Sequence, residues 1–180
     1  MNWMLMPLRR YADFSGRSRR MEFWMWQLFK FLVGCGIMVL FIVMFGSALA
    51  SLSTGSSEGL VAAGGAMILL YLACLVLGLA IIIPDIAVTV RRLHDTDRSG
   101  WWILAPLAPY LVFWMAAMQS IDLTAPNPQP SGAAAAVMFG ALAVAVLLAL
   151  TLLVFYFLDG TPGANRFGPD PKGRDGQAPS

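Results

Sequence analysis

Four long apolar runs separated by short polar segments set the plan of the chain. They cover residues 27–52, interrupted only by Lys30, then 60–83, 101–118 and 133–158. Each approaches or exceeds the roughly 20 residues with which an α-helix crosses the hydrocarbon core of a bilayer, so the pattern predicts four spans. Pro84 closes the second run, yet Ile83, Ile86, Val90 and Leu93 recur at helical spacing around it. That spacing predicts a helix continuing past a proline kink and out of the membrane. Pro106 and Pro109 fall inside the third run and predict a kinked helix, or one entered through a short interfacial segment. Trp24, Trp26, Trp101 and Trp102 stand at run ends, the level at which tryptophan gathers at membrane interfaces.

Between the runs, Ser51–Gly59 is polar and glycine-containing and predicts a loop, and Gln119–Gly132, with Pro126, Pro128 and Pro130, predicts an extended one. Ser18 is placed to cap the first long helix. Gly64, Gly65, Ala66, Ala73 and Gly78 would let the second span approach a neighbouring helix closely. After the fourth run, Asp159–Pro171 is rich in glycine and proline, and residues 172–180 predict a disordered tail. The expected organisation is one four-span domain, residues 1–171, followed by that tail.

Composition sharpens this picture. Hydrophobic residues make up 58% of the chain and charged residues 12%, against about 25% charged in soluble domains, so the surplus apolar surface needs lipid. A net charge of +2 is too small to suggest a nucleic-acid partner. Cys35 and Cys74 lie inside apolar runs, where small buried hydrophobes are expected rather than a disulfide framework. The apolar start of the chain is too short for a cleavable signal peptide.

The distribution of charge matters more than its sum. Arg9, Arg10, Arg17, Arg19, Arg20 and Lys30 precede or begin the first span; Arg91, Arg92 and Arg98 lie between the second and third; Arg166, Lys172 and Arg174 follow the fourth. With four spans these segments share one face, which the positive-inside rule makes cytoplasmic. The fold expected is therefore an all-α integral membrane four-helix bundle, both termini inside, with a cytoplasmic polar cluster. Arginines of the N-terminal segment would hold anionic headgroups.

The densest part of that cluster is Arg91-Arg92-Leu93-His94-Asp95-Thr96-Asp97-Arg98-Ser99-Gly100-Trp101-Trp102. On a helix end, Arg91 and Asp95 stand at i, i+4 and are expected to pair. Arg17 and Arg20 share a face, and Glu22, Asp85 and Asp170 are candidate structural partners for cations, Asp85 for a nearby arginine at the membrane edge. Two readings follow. In one, these residues form a salt-bridged knot tying three cytoplasmic segments together. In the other, guanidinium groups of Arg17, Arg20, Arg92, Arg98 and Arg166 take bidentate hydrogen bonds from a phosphate or carboxylate. The candidate anion- or lipid-binding set is Arg17, Arg20, Arg91, Arg92, His94, Asp95, Arg98, Asn165 and Arg166.

Catalysis is disfavoured. His94 and Asp95, adjacent on a helix, point about 100 degrees apart and are badly placed to orient each other. His94 is the only histidine, and the cysteines lie within spans, which argues against a zinc site; no metal or other cofactor is expected. His94 is expected to donate to a backbone carbonyl or to Asp85. A pore through one protomer is not visible, leaving a homo-oligomeric transporter, or a membrane enzyme acting on lipid phosphate, as alternatives.

Three segments carry a resemblance. Phe14, Gly16, Arg17, Arg20, Phe23 and Trp24 form a Phe-x-Gly-Arg-x-x-Arg-x-x-aromatic-Trp pattern; Arg91 to Asp95 and Arg98 to Trp102 form Arg-Arg-Leu-His-Asp followed by Arg-Ser-Gly-Trp-Trp; Asn165 to Pro171 close with Asn-Arg-aromatic-Gly-x-Asp-Pro. Together they resemble the bacterial inner-membrane family of domain of unknown function 805, the YhaH-type proteins. Asp97 departs from the pattern, standing where glycine or another small residue is expected. The resemblance implies a multi-pass protein of the bacterial inner membrane and no particular activity. Expected partners are membrane lipids, anionic ones foremost, and a protein partner or a second copy of the chain.

Overall fold

The computed structural model describes residues 3–120 and 131–173. After a 3-10 turn at Trp3–Leu5, helix α1 spans Met6–Arg9, α2 Arg20–Thr54, α3 Ser57–Asp95, α4 Leu107–Ser120 and α5 Gly132–Phe157, with a second 3-10 stretch at Gly100–Leu104 before α4. Among the described residues there is no strand beyond one isolated bridge, between Asn165 and Gly168. Four helical stretches among the described residues are long and apolar enough to cross a membrane, the third being Gly100–Ser120. Most of their Leu, Ile, Val and Phe side chains remain exposed, as on a surface made for lipid. The protein is an all-α membrane protein.

Contacts gather the chain into two compact units, Met1–Phe14 with Met21–Val88, and Ser15–Arg20 with Thr89–Ser180. In the first unit α2 and α3 are joined far more tightly than the polar stretch Ser51–Gly59 suggests. The hydroxyls of Ser51, Ser53 and Thr54 bond back to carbonyls three or four residues earlier, which lets polar residues stay helical to the end of α2. Gly55 then adopts φ +69 and closes a Schellman motif, its N–H reaching Leu52 O and that of Ser56 reaching Ser51 O. Ser56 caps the following helix by accepting from Gly59 N at 3.1 Å.

Helix α3 has 39 residues, about 58 Å at 1.5 Å per residue, far longer than the roughly 30 Å hydrocarbon core. The apolar run to Ile83 suffices for the crossing, and the turns from Pro84 to Asp95 extend beyond it. Pro84 sits inside the helix and is fully buried. Lacking an N–H, it leaves the carbonyl four residues back, that of Ala80, without its helical donor. The Tyr11 hydroxyl donates to Ala80 O at 2.8 Å and fills the gap. In lipid no water can do so, which gives an aromatic of the N-terminal segment a role in holding a membrane helix. Tyr11→Phe is expected to destabilise the protein by about 1–3 kcal/mol, the cost of an acceptor left unpaired on a lipid-facing surface. In Pro84→Ala the helix supplies its own donor, so adding Tyr11→Phe should then cost much less; thermal unfolding of the four proteins in one detergent measures this.

At the same end of the unit, Asp85 Oδ1 accepts from Lys30 Nζ at 2.5 Å and from Trp26 Nε1 at 2.9 Å. Asp85 is thus held by a lysine and an indole of α2, where the sequence pointed to an arginine, and Lys30 turns to this carboxylate instead of reaching for headgroups alone. Glu22 is buried near the start of α2. A Cβ added at Gly64, Gly65 or Gly78 would meet nothing within 4 Å, so none of them serves close helix approach among the described residues. Both cysteines are free, and Cys35 is exposed rather than buried.

In the second unit α4 packs along α5. Pro106 precedes the first residue of α4, and Pro109 sits in its first turn, where a missing N–H costs nothing. The third span therefore begins as a short 3-10 segment, one of the two forms its prolines predict. Ser131 caps α5 by accepting from Ala134 N at 3.2 Å. Residues 121–130 of the Gln119–Gly132 loop, with its three prolines, and the tail from Arg174 on lie outside the described residues.

Candidate functional site

Two helix ends lie close together in the second unit, that of α3 at Asp95 and that of α5 at Phe157. A helix C-terminus exposes unpaired carbonyls and carries about half a negative charge, so both ends call for donors and cations. The three sequence motifs supply them.

The α3 end is closed first by its own chain. Asp97 N–H bonds to His94 O and Arg98 N–H to Leu93 O, a Schellman motif with Asp97 at φ +56 in the left-handed position. This accounts for the expectation of glycine there: aspartate is among the few other residues that tolerate that conformation. The other motifs add further donors to the carbonyls of this last stretch. Ser18 N donates to Arg91 O at 3.0 Å, Thr161 N to Asp95 O at 2.9 Å, and Asn165 Nδ2 to His94 O at 2.9 Å. Ser18 does this through its backbone; its buried Oγ has no hydrogen-bond partner, so it does not cap α2 as the sequence suggested.

At the α5 end, Arg92 donates from Nε and Nη2 to Tyr156 O and from Nη2 to Leu158 O, while Arg20 Nη1 donates to Phe157 O at 2.9 Å. Arg20 also pairs with Asp159 at 2.7 Å, at the surface. Asp159 in turn holds Lys172.

Asp95 joins the two ends. Its Oδ2 accepts from Arg92 Nη1 at 2.6 Å and its Oδ1 from Arg17 Nε at 3.0 Å, and the three side chains are 2%, 0% and 1% exposed. Its partner on α3 is thus Arg92, three residues back, where i, i+4 spacing pointed to Arg91; Arg91 is itself fully buried. Arg17 also donates to Gly163 O and Thr161 O, each at 2.6 Å, and lies 3.9 Å from the buried Asp170. Gly160 packs directly on the Asp95 carboxylate and leaves no room for a side chain.

Other motif residues build the surroundings. Asn165 accepts from Phe167 N and shares two backbone bonds with Gly168, forming a tight turn. The Phe167 ring stacks on His94 at 3.9 Å, nearly parallel. Arg166, an exposed residue, lies over the same phenyl ring and pairs with Asp97. Arg98 sits 3.8 Å over Phe155, against which Trp102 packs edge-on. Gly100 is required because a Cβ would fall 2.8 Å from Val90 Cγ1.

His94 Nδ1 lies 3.2 Å from Gly16 O. A carbonyl only accepts, so the proton is on Nδ1, and the carbonyl partner is the first of the two expected. Burial pushes the imidazole below its ordinary pKa; the Gly16 carbonyl opposes this, and the charge of Arg166 adds to it. With the folded value lowered, the unfolded chain takes up the proton first, so stability is flat above about pH 6.5 and falls as the pH drops below it. His94→Asn should flatten that acid limb of the thermal midpoint.

Of the sequence-derived set, Arg17, Arg92, Asp95 and Asp170 meet in one buried network, with His94, Asn165, Arg20, Arg98 and Arg166 around it. Arg91 and Glu22 are buried, and Asp85 belongs to the first unit. Gly160, Thr161, Asp159, Phe155 and the carbonyls of residues 156–158 escaped sequence reasoning. Among the described residues no three His, Cys, Asp or Glu side chains are grouped to hold a metal.

Fold and site together define a four-span membrane protein with an arginine clasp at one pair of helix ends. The chain belongs to the family described as protein of unknown function DUF805, whose model matches residues 11–169. It is 34% identical over 172 residues to inner membrane protein YhaI of Escherichia coli K12, covering 96% of this chain and 97% of that one. Inner membrane protein YhaH of the same strain is also 34% identical, with 96% and 98% covered. The uncharacterized protein YiiR is 29% identical over 158 residues, 88% and 85% of the two chains. No solved structure matches.

Proposed function

We propose that the protein is a structural component of the bacterial inner membrane, a four-span scaffold or subunit of a membrane complex, with both termini and the clasp on the cytoplasmic side. The observation that carries this reading is the satisfaction of Arg17 and Arg92. Their donors are directed at Asp95 and at carbonyls of the chain itself, and both side chains are buried. A phosphate or carboxylate would have to break those bonds to enter. The orientation rests on the basic residues, which fall in the three segments that four spans bring to one face.

A second reading keeps the anionic lipid headgroup or acidic protein partner at the rim, where Arg166 is 61% exposed along its side chain. Native mass spectrometry of the protein in mild detergent, wild type against Arg17→Lys, separates the two. The scaffold reading expects chain alone, or multiples of it with partner chains. A stoichiometric phosphate-bearing adduct on the wild type that Arg17→Lys removes would replace it with an anion site. A reporter fused after Ser180 should be active only in the cytoplasm, and activity confined to the periplasm would refute the orientation.

A further inference from the structure

The clasp absorbs Arg17 and Arg20 of the arginine-rich N-terminal stretch, and leaves the residues before them to be explained. Trp3–Phe14 belongs to the first unit and carries a 3-10 turn, one turn of helix and a further turn closed by Asp13 N donating to Arg10 O. Leu5, Leu8, Tyr11 and Phe14 are exposed, which water would penalise. Arg9 is exposed as well, while Arg10 is tied to Asp13 at 2.6 Å. Pro7 is buried, so the segment is seated on the protein rather than trailing from it.

Its depth is set by one bond. Tyr11 reaches Ala80 O, four residues before the proline that ends the apolar run of α3, and the Lys30–Asp85 pair lies at the same end of the unit. A tyrosine hydroxyl fixed at the last turn of an apolar run stands at the boundary between hydrocarbon and headgroups, where amphipathic rings are most stable. We infer that Trp3–Phe14 is an interfacial anchor, its apolar side chains set among the acyl chains and Arg9 among anionic headgroups of the same membrane. A lipid layer is the occupant that suits this patch because the depth is fixed by a membrane helix and the exposed charge beside the apolar residues, Arg9, is basic. This goes beyond the clasp, since none of its residues takes part in that network.

The test uses the full chain with Cys35 and Cys74 replaced by alanine, in vesicles of phosphatidylethanolamine and phosphatidylglycerol. Leu5→Cys and Leu8→Cys carry a nitroxide, and Ala164→Cys, in the exposed tail, is the reference. The inference expects collision with oxygen over an aqueous nickel chelate to be favoured several-fold more at residues 5 and 8 than at 164. It also expects the label at residue 8 to move outward in purely zwitterionic vesicles, and that shift to vanish in Arg9→Gln. Labels open to nickel would overturn the anchor. Labels immobilised and closed to both reagents would overturn it in favour of a protein partner covering the patch. Oxygen-exposed labels indifferent to lipid charge would overturn the anionic preference. Two label sites guard against one substitution disturbing the fold.

Discussion

Asp95→Asn is expected to open the clasp, at a cost of roughly 3–5 kcal/mol, because removing one partner of a buried ion pair leaves its cation uncompensated. Here two guanidinium groups lose their common counter-ion. The carboxylate takes Arg17 on one oxygen and Arg92 on the other. Whichever oxygen becomes the amide nitrogen in asparagine, a donor faces a donor at hydrogen-bond distance. The loss should appear as a large drop in thermal midpoint in detergent and in reduced abundance in the membrane. Asp159→Asn is the contrast. Asp159 pairs with Arg20 and Lys172, but its side chain is 55% exposed, and the expected change stays within about 1 kcal/mol.

Gly160→Ala is expected to be nearly as damaging, although it adds a single methyl group. Its Cβ would lie 2.5 Å from Asp95 Oδ1 and closer still to Oδ2. That carboxylate cannot swing aside, since two buried arginines fix it, so the backbone of the tail must move. Movement there also strains the neighbouring bonds of Thr161, whose N–H meets Asp95 O and whose carbonyl takes Arg17. Overpacking of this kind costs about 1–3 kcal/mol before those bonds are counted. Gly140→Ala, inside α5 with nothing within 4 Å of the new atom, should leave the thermal midpoint unchanged or slightly raised.

Much of the architecture is readable from periodicity, because a bilayer imposes its thickness on the apolar runs. All four spans lie where the runs place them, and the third breaks where Pro106 requires it. The ends are less legible. Helices α2 and α3 run past the hydrocarbon core, and serine and threonine hydroxyls that look like loop residues bond back into α2. The role of Tyr11 could be suspected from Pro84, whose missing N–H demands an outside donor, but nothing along the chain says which residue supplies it.

The motifs name residues that the structure brings together, Arg17, Arg92 and Asp95 among them, and leave their chemistry open. A string of arginines with one aspartate reads equally as a knot or as an anion site, since the sequence displays charges and hides carbonyls. The acceptors that the arginines meet are main-chain oxygens at Tyr156, Phe157, Leu158, Thr161 and Gly163, available because a helix ends and a turn begins. Register decided the rest: Asp95 meets Arg92 across three residues and Arg17 across 78.

The central claim is that segments 15–20, 91–98 and 159–171 hold one another. Amide hydrogen exchange on the wild type and Arg17→Lys tests it most directly, because lysine keeps the charge and loses the fork of donors. The N–H groups of Thr161, Asn165 and Gly168 donate to Asp95 O and within the turn, not to residue 17, yet these bonds depend on the tail staying docked. Faster exchange across 159–171, together with 15–20, is the result this account predicts. Loosening confined to 15–20, with the tail protected as in the wild type, would contradict it.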